Sequence, residues 1–114
     1  MTAQENKNIV ERFYAAGNSG DMETCFDLIA DDITWTNIGT TAFSGTFRGK
    51  QELTEKLLGP LFGQLKSGIH TTIHRLIAEN DHVVALTSGT AETTDGRPYN
   101  NTYCQVIRVR DGKF

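Results

Sequence analysis

Helical and strand periodicities occupy different halves of this 114-residue chain, and that separation constrains the fold more than any other feature. Apolar residues recur three and four positions apart up to residue 65, whereas residues 69–110 form alternating, β-branched runs. Helices followed by strands favour an α+β domain over an α/β sheet whose elements alternate along the chain. The length suits one unit, so we interpret residues 1–114 as a single domain.

The N-terminal segment predicts two helices. Thr2 and Glu5 form a capping-box pattern, and residues 17–20, Gly-Asn-Ser-Gly, predict the end of the first helix. Asp21 is positioned to cap a second, short helix. The apolar face of the first helix consists of Ile9, Val10, Phe13, Tyr14 and Gly17.

A short strand and a third helix are expected next. Residues 33–38 are β-branched and aromatic and predict the strand, and residues 39–49 predict a Gly-rich loop. Helical spacing returns over residues 50–65, where Pro60 follows Gly59. Because proline lacks a backbone donor and its ring clashes with the preceding turn, we expect a kink or break there.

Three strands in series are predicted for residues 69–78, 83–93 and 97–110. Asn80-Asp81 marks the first turn, and Asp95-Gly96 is a strong hairpin signal. Asp111-Gly112 is a second such signal, after which a returning strand is expected, yet the sequence stops at Phe114. We therefore expect the final strand to be missing, which would leave an exposed sheet edge.

Composition excludes several classes of partner. The formal net charge is −3 with acidic and basic residues interspersed, so neither nucleic acid nor an anionic membrane is expected as a partner. The N-terminus lacks the apolar core of a signal peptide, and no apolar run approaches the roughly 20 residues of a membrane helix. Cys25 and Cys104 have no metal-ligand spacing and predict two reduced, buried thiols in a cytoplasmic protein.

Five short motifs follow one another along almost the whole chain. They are RFYAA at 12–16 with Gly20-Asp21, ADDITW at 30–35, FRGKQ at 47–51, DGRPYNNTY at 95–103 and IRVRDGK at 107–113. In order and spacing they resemble the SnoaL-like branch of the nuclear transport factor two-like superfamily, which also includes ketosteroid isomerases, polyketide cyclases and limonene epoxide hydrolases. The resemblance implies a cone-shaped α+β barrel, in which three N-terminal helices pack on a curved antiparallel sheet around one apolar pocket. Family members continue with a further long strand, so the resemblance implies a C-terminally truncated domain.

The resemblance also implies which residues line the pocket. Alternation places Asn101, Tyr103 and Gln105 on one face of the third long strand, and by resemblance that face points inward. Their mixture of polar and apolar neighbours is typical of a pocket for an organic ligand. The alternative is that Asn101 and Tyr103 belong to a solvated hairpin mouth. Trp35 is expected on the pocket wall, as a ligand platform or as plain core.

Ketosteroid isomerases use a carboxylate base together with a tyrosine and a protonated acid. Carried over by motif, these positions fall at Asn37, Phe13 and Gln105, and none keeps its chemistry. Asn37 remains a candidate substrate contact rather than a base. Tyr14 could replace Phe13 only if the helix turned its face by one residue. Proton abstraction by that constellation is therefore disfavoured.

His70 and His74 share one strand face at a separation of roughly 13 Å, too far to hold one metal ion. If His70 faces the pocket it could act as a general acid or base near neutral pH; otherwise it lies on the outer sheet face. His82 falls in a turn and is expected to be exposed. The sequence contains no phosphate-binding glycine motif or metal cluster, so no cofactor is expected.

Two functions remain open. The first is a cofactor-free isomerase, cyclase, dehydratase or hydrolase acting on a small hydrophobic compound, with Tyr14 or His70 moving the proton and Tyr103 and Gln105 orienting the substrate. The second is a module that binds a small ligand, or a partner, without chemistry. In either case we expect a homodimer through the outer sheet face, because that face carries Thr102, Cys104 and Val106, which are too apolar for open water, and related proteins pair through that face.

Overall fold

The computed structural model describes residues 2–114 and has the α+β organisation that the sequence predicts. The elements in chain order are α1 Ala3–Ser19, α2 Met22–Asp27, β1 Thr34–Asn37, β2 Gly45–Arg48, α3 Lys50–Leu53, a π-helical segment Thr54–Leu58, α4 Gly59–Gly63, β3 His70–Glu79, β4 His82–Thr90 and β5 Asn101–Arg108. None of the helices within residues 2–114 has both the length and the apolarity to cross a membrane.

The predicted helix caps are confirmed. The Glu5 backbone N–H donates to the Thr2 hydroxyl, and the Thr2 N–H donates to the Glu5 carboxylate, each at 3.1 Å. Helix α1 ends at Ser19 and is capped by Gly20, whose φ of +81° is the left-handed conformation that glycine adopts without strain. Asp21 caps α2 by accepting from the Thr24 N–H.

Two asparagines tie helix α1 to the hairpin of β3 and β4. Near the start of the helix, the Asn6 amide donates to the Asn80 carbonyl at 3.1 Å. Near its end, Asn18 both donates to the Thr71 carbonyl and accepts from the Thr71 N–H, each at 2.7 Å. The Asn18 side chain thus satisfies both backbone hydrogen-bonding groups of Thr71 on the edge strand β3, as a neighbouring strand would. These bonds hold α1 along the sheet and set the orientation of its buried face.

Strand β2 corrects the loop predicted for residues 39–49. Residues 45–48 pair antiparallel with β1, and Trp35 lies opposite Phe47. Phe47 is buried, and Gly45 enters the strand with a φ of +128° that glycine tolerates. This short pairing is stabilised by burial of Phe47, and the glycine-rich sequence contains no local signal that predicts it.

The third predicted helix is interrupted by a change of winding. Thr54–Leu58 forms a π-helical segment in which the Gly59 N–H bonds to the carbonyl of Thr54. The wider turn removes the clash between the Pro60 ring and the preceding turn, so the helix continues as α4. Leu53, at the end of α3, and Leu57, within the π-helical segment, are both buried.

Strands β3, β4 and β5 form an antiparallel sheet in that order. The buried residues of β4 alternate with half-buried and exposed ones, and this defines an inner face toward α1 and an opposite outer face. The register sets Ala85 opposite Gln105 and Thr87 opposite Tyr103 on the inner face. The outer face carries Leu86, opposite Cys104.

The predicted turns are confirmed, but β4 and β5 are shorter than expected. Gly96 has a φ of +88° and its N–H bonds to the Thr93 carbonyl, as expected for a tight turn. Beyond Thr90 only isolated bridges connect this arm, so β5 begins at Asn101. Asp111 and Gly112 both have positive φ and turn the chain back.

Two apolar clusters form the core. The first joins the buried face of α1 to the inner face of the sheet, and the second surrounds Ile29, Phe47 and Leu57. Phe13 and Phe114 pack against both clusters, with ring centroids 4.5 Å apart. Cys25 is buried as predicted, but the prediction of a buried Cys104 is wrong because β5 turns that side chain to the outer face.

Candidate functional site

Four polar side chains come together where α1 covers the inner face. Tyr14 is contributed by the helix, Thr87 by β4, and Tyr103 and Gln105 by β5; we call these residues the inner polar group. The apolar side chains around them include Ile9, Val10, Ile73, Leu76 and Val83. The strand residues that share the inner face within residues 70–108 include no charged side chain.

Tyr14 is the helix residue of the inner polar group. Only 8% of its surface is exposed, and it packs edge-on against Phe13 with ring centroids 5.4 Å apart. Burial raises the pKa of the Tyr14 phenol well above its ordinary value, and the nearby Cys25 and Tyr103 add to this. Tyr14 is therefore a neutral hydroxyl at physiological pH, able to donate a hydrogen bond but not to act as a base.

Tyr103 borders the group toward solvent. It is half-buried, burial raises the pKa of its phenol, and its hydroxyl accepts a hydrogen bond from the exposed Asn101 amide at 3.2 Å. Both residues lie on the inner face, with Asn101 at its open end. The arrangement makes Tyr103 the side chain between the interior and the solvent.

Gly89 provides the space that Tyr103 occupies, and sequence reasoning did not single it out. A Cβ atom at Gly89 would lie 3.0 Å from the Tyr103 ring and 2.8 Å from the Ile69 side chain. Such distances leave no room for even a methyl group. A glycine inside an otherwise alternating strand was the available signal.

Thr87 is the second residue that sequence reasoning missed. It is 1% exposed, and its hydroxyl has no hydrogen-bond partner among residues 2–114. The Gln105 side-chain oxygen is likewise buried without a partner in the described part of the chain. Thr87 could be recognised only from the pairing of β4 with β5, because its strand neighbours suggest nothing but a core position.

Cys25 lies behind Tyr14, and burial keeps its thiol protonated. Its thiol donates to the Phe13 carbonyl at 3.6 Å, and burial, together with Asp21, raises the pKa of Cys25 to about 11. A thiol with this pKa is almost entirely protonated at neutral pH.

The predicted contacts Trp35 and Asn37 lie on β1 and form a separate unit. The Trp35 indole donates to the Asn37 side-chain oxygen at 2.8 Å, and the Asn37 amide donates to the Phe43 carbonyl at 3.0 Å. Trp35 packs against the second apolar cluster rather than the inner face. Both ends of the Asn37 amide are thus used to hold the β1–β2 connection.

All three histidines lie away from the inner polar group. His70 begins β3 on the exposed outer face, opposite Thr90, so its side chain points away from Tyr14. His74 is exposed on the same face and shares a hydrogen bond with the Ser88 hydroxyl at 2.8 Å. His82 is exposed, as predicted, beside Asp81. The structure therefore does not bring His70 to the site, because its position in the strand directs it outward.

The inner face differs chemically from the surface depressions. An open depression of about 540 Å³ is lined by charged residues between Asp31 and Lys56, and another of about 390 Å³ lies on the outer face beside Ile77. Within residues 2–114, no three His, Cys, Asp or Glu side chains converge to hold a metal ion. The inner polar group offers neutral hydrogen-bond donors and acceptors in an apolar setting, which suits an uncharged organic molecule.

A family model described as "SnoaL-like domain" matches residues 10–114, while no curated protein matches the chain. Among solved structures, Bal32a from a soil-derived mobile gene cassette is 26% identical, with a TM-score of 0.84 over 97% of this chain and 84% of that one. An NTF2-like protein from Burkholderia xenovorans LB400 is 26% identical, with a TM-score of 0.72 over 99% and 86% of the two chains. A LEH-like epoxide hydrolase from M. tuberculosis is 25% identical, with a TM-score of 0.77 over 97% and 77%.

Proposed function

The chain belongs to the SnoaL-like domain family, and we propose that it binds a small hydrophobic organic molecule between helix α1 and the inner face of the sheet. The observation that carries the proposal is the inner polar group, a set of neutral polar side chains surrounded by apolar ones. Tyr14 and Gln105 would orient the ligand, and Tyr103 would border the entrance.

A fluorescent apolar probe tests the binding site. N-phenyl-1-naphthylamine brightens in apolar surroundings, and we expect a saturable rise in its fluorescence with the wild-type protein. The bulky variant Gln105→Trp should weaken that binding at least tenfold by filling the inner face. Thr90→Trp, at an exposed outer-face position, is the matched control and should bind as the wild type does. Non-saturable fluorescence with the wild-type protein would contradict the proposal.

Of the two functions, the chemistry of the inner face favours ligand binding without catalysis. The titratable groups around the inner polar group are Tyr14, Cys25 and Tyr103, and burial raises the pKa of each. All three are therefore protonated near neutral pH, so none of them can accept a proton there. A ligand would be held and shielded from water without a general base beside it.

Hydrolysis of an epoxide is the second candidate, favoured by the 25% identity to the M. tuberculosis LEH-like epoxide hydrolase. In this form the Tyr14 hydroxyl would donate its proton to the epoxide oxygen as the C–O bond breaks. Water would add to the carbon and lose one proton to solvent, and the Tyr14 phenolate would take one proton back from solvent, which restores the hydroxyl. His70 could not take part from the outer face.

Styrene oxide separates the two forms. Diol formation above the buffer rate that Tyr14→Phe abolishes would establish the catalytic form. Binding of styrene oxide without diol formation would establish the non-catalytic form. Cys25→Ser, behind Tyr14 and outside any proposed chemistry, is the control variant.

The partner that we propose for the outer face is a second copy of this chain. Ile77, Val84 and Val106 lie side by side across the three strands and form an outer apolar row, in which Ile77 is 45% and Val106 68% exposed. Arg75 lies on one side of the row and Glu79 on the other. A two-fold axis along the row would set Arg75 of one copy against Glu79 of the other, so the face is complementary to itself.

Sedimentation velocity at micromolar concentration tests this pairing. We expect a dimer that Val106→Glu dissociates by placing a carboxylate in the outer apolar row. Ile38 is 93% exposed on the β1–β2 connection, so Ile38→Glu is the matched control and should leave the dimer intact. A wild-type monomer would contradict the pairing.

A further inference from the structure

Two buried oxygens on neighbouring strands lack hydrogen-bond partners. Thr87 on β4 lies opposite Tyr103, and Gln105 lies two residues further along β5, so Thr87 and Gln105 are diagonal neighbours on the inner face. The backbone positions of such diagonal neighbours are roughly 7 Å apart, so one small group lying between the two side chains can reach both. The Thr87 hydroxyl and the Gln105 side-chain oxygen each expose less than 1 Å² and bond to nothing within residues 2–114.

Unpartnered buried polar atoms are uncommon because each loses its hydrogen bonds to water without replacement. No donor within residues 2–114 reaches the two oxygens: the Tyr103 hydroxyl accepts from the Asn101 amide and makes no hydrogen bond to either of them. A valine and a leucine would fill the same space without this cost. The polar side chains at these two positions therefore call for a partner from outside the chain.

We propose that Thr87 and Gln105 form a subsite for an uncharged ligand group that carries an O–H or N–H donor, a hydroxyl in the simplest case. The inference rests on the proposed ligand-binding function and names the ligand's chemistry. The Gln105 oxygen can only accept, so the ligand must supply the hydrogen. The Thr87 hydroxyl can then donate to the same ligand atom or accept from it.

The ligand group must also be neutral. The strand residues on the inner face between positions 70 and 108 carry no charge that could compensate an ionised ligand, and burial of an unpaired carboxylate is strongly unfavourable. A hydroxyl of an alcohol, enol or phenol satisfies both oxygens at no such cost. A carboxylate would bring its charge and no donor.

The two oxygens are covered in this structure, so a ligand reaches them only by moving a side chain. Tyr103 is the side chain that borders them toward solvent, and its hydroxyl is held only through the exposed Asn101 amide. Rotation of the Tyr103 ring would open the inner face at Thr87. Binding of the ligand should therefore change the environment of Tyr103.

Three probes with the same ring system test the inference by titration calorimetry at pH 7. They are 2-naphthol, which is neutral and donates; 2-methoxynaphthalene, which is neutral and cannot donate; and 2-naphthoate, which is anionic. We expect 2-naphthol to bind about tenfold more tightly than 2-methoxynaphthalene, as one lost buried hydrogen bond implies. We expect 2-naphthoate to bind more weakly than 2-naphthol.

Two variants assign the preference to the subsite. Thr87→Val and Gln105→Leu should each reduce the affinity for 2-naphthol toward that for 2-methoxynaphthalene, and leave 2-methoxynaphthalene binding within twofold of the wild type. Thr90→Val, at an exposed position of the same strand, should leave the preference unchanged. Circular dichroism of each variant verifies the fold.

The outcomes separate the inference from the proposed function. Equal binding of 2-naphthol and 2-methoxynaphthalene, a tighter 2-naphthoate, or a preference that survives in the Thr87→Val, Gln105→Leu double variant would overturn the inference and leave the binding site standing. Failure of all three probes to bind would overturn both.

Discussion

Replacement of Thr87 by valine should stabilise this protein, although most substitutions of a buried residue destabilise. Valine has the shape of threonine with a methyl group in place of the hydroxyl. Thr87 is 1% exposed, and its hydroxyl has no partner within residues 2–114, so the substitution breaks no hydrogen bond that the structure contains. What it removes is the cost of burying an unpartnered polar atom.

That cost sets the magnitude. An unsatisfied buried hydroxyl costs about 1–3 kcal/mol, so Thr87→Val should raise the free energy of unfolding by about that amount. In a small domain each kcal/mol moves the melting temperature by roughly 4–8 °C. Urea unfolding and a thermal melt, both followed by circular dichroism, measure the two quantities. The control Thr90→Val, at an exposed position, should change stability by less than about 0.5 kcal/mol.

A loss of stability would refute the reasoning. If Thr87→Val lowers the free energy of unfolding by 1 kcal/mol or more, the hydroxyl has a partner in solution and the inner face lacks the unfilled hydrogen bond on which the subsite depends. An equal gain in Thr90→Val would assign the effect to valine in a strand rather than to burial.

Three further results are expected. In the Val106→Glu variant, whose outer face is not covered by a second copy, an aromatic disulfide reagent should modify the exposed Cys104 quickly and reach Cys25 only after unfolding, because Cys25 is buried with a pKa of about 11. Fast reaction of the Val106→Glu, Cys104→Ser double variant would contradict this. Burial raises the pKa of Tyr14 in the folded state above its value of 10 in the unfolded chain, so the folded protein favours the protonated phenol. The contribution of Tyr14 to the free energy of unfolding is therefore complete below pH 10 and is lost as the pH rises above 10. Tyr14→Phe should therefore lose less stability between pH 9 and 11 than the wild type, and parallel losses would contradict the assignment. Gly89→Ala should displace the Tyr103 ring and destabilise by about 1–3 kcal/mol, whereas Gly63→Ala, where an added Cβ meets open space, should not; an unchanged tyrosine spectrum in Gly89→Ala would show that the ring does not occupy that space.

Local chemistry made much of the backbone predictable from the sequence. The capping box of Thr2 and Glu5 and the Asp95-Gly96 and Asp111-Gly112 turns are confirmed because each depends on residues within a few positions of one another. Strand β2 was missed for the opposite reason. Its pairing with β1 is stabilised by burial of Phe47, and the residues next to Phe47 in the sequence do not indicate that burial.

The candidate site was predictable only as far as strand alternation reaches. Alternation placed Tyr103 and Gln105 on one face, and the structure turns that face toward α1. Thr87 and Gly89 become recognisable only when β4 is aligned with β5, because their roles come from what lies opposite them. The same limit explains why the predicted burial of Cys104 is wrong. Its exposure depends on which face of the sheet α1 covers, and its apolar sequence neighbours do not show this.

The two walls of the site differ in how firmly they are held, and this difference determines how it can open. Helix α1, which carries Tyr14, is tied to the sheet at both ends by the side chains of Asn6 and Asn18. Tyr103 has one side-chain hydrogen bond, to the exposed Asn101, and its ring lies over Gly89, which has no side chain. On the proposed function, a ligand that reaches Thr87 would meet a helix tied at both ends and a Tyr103 ring with a single side-chain hydrogen bond. Selection for an uncharged hydroxyl would then be made at the strand side of the site, after the Tyr103 ring has turned away, and the Tyr14 side would supply an already oriented surface.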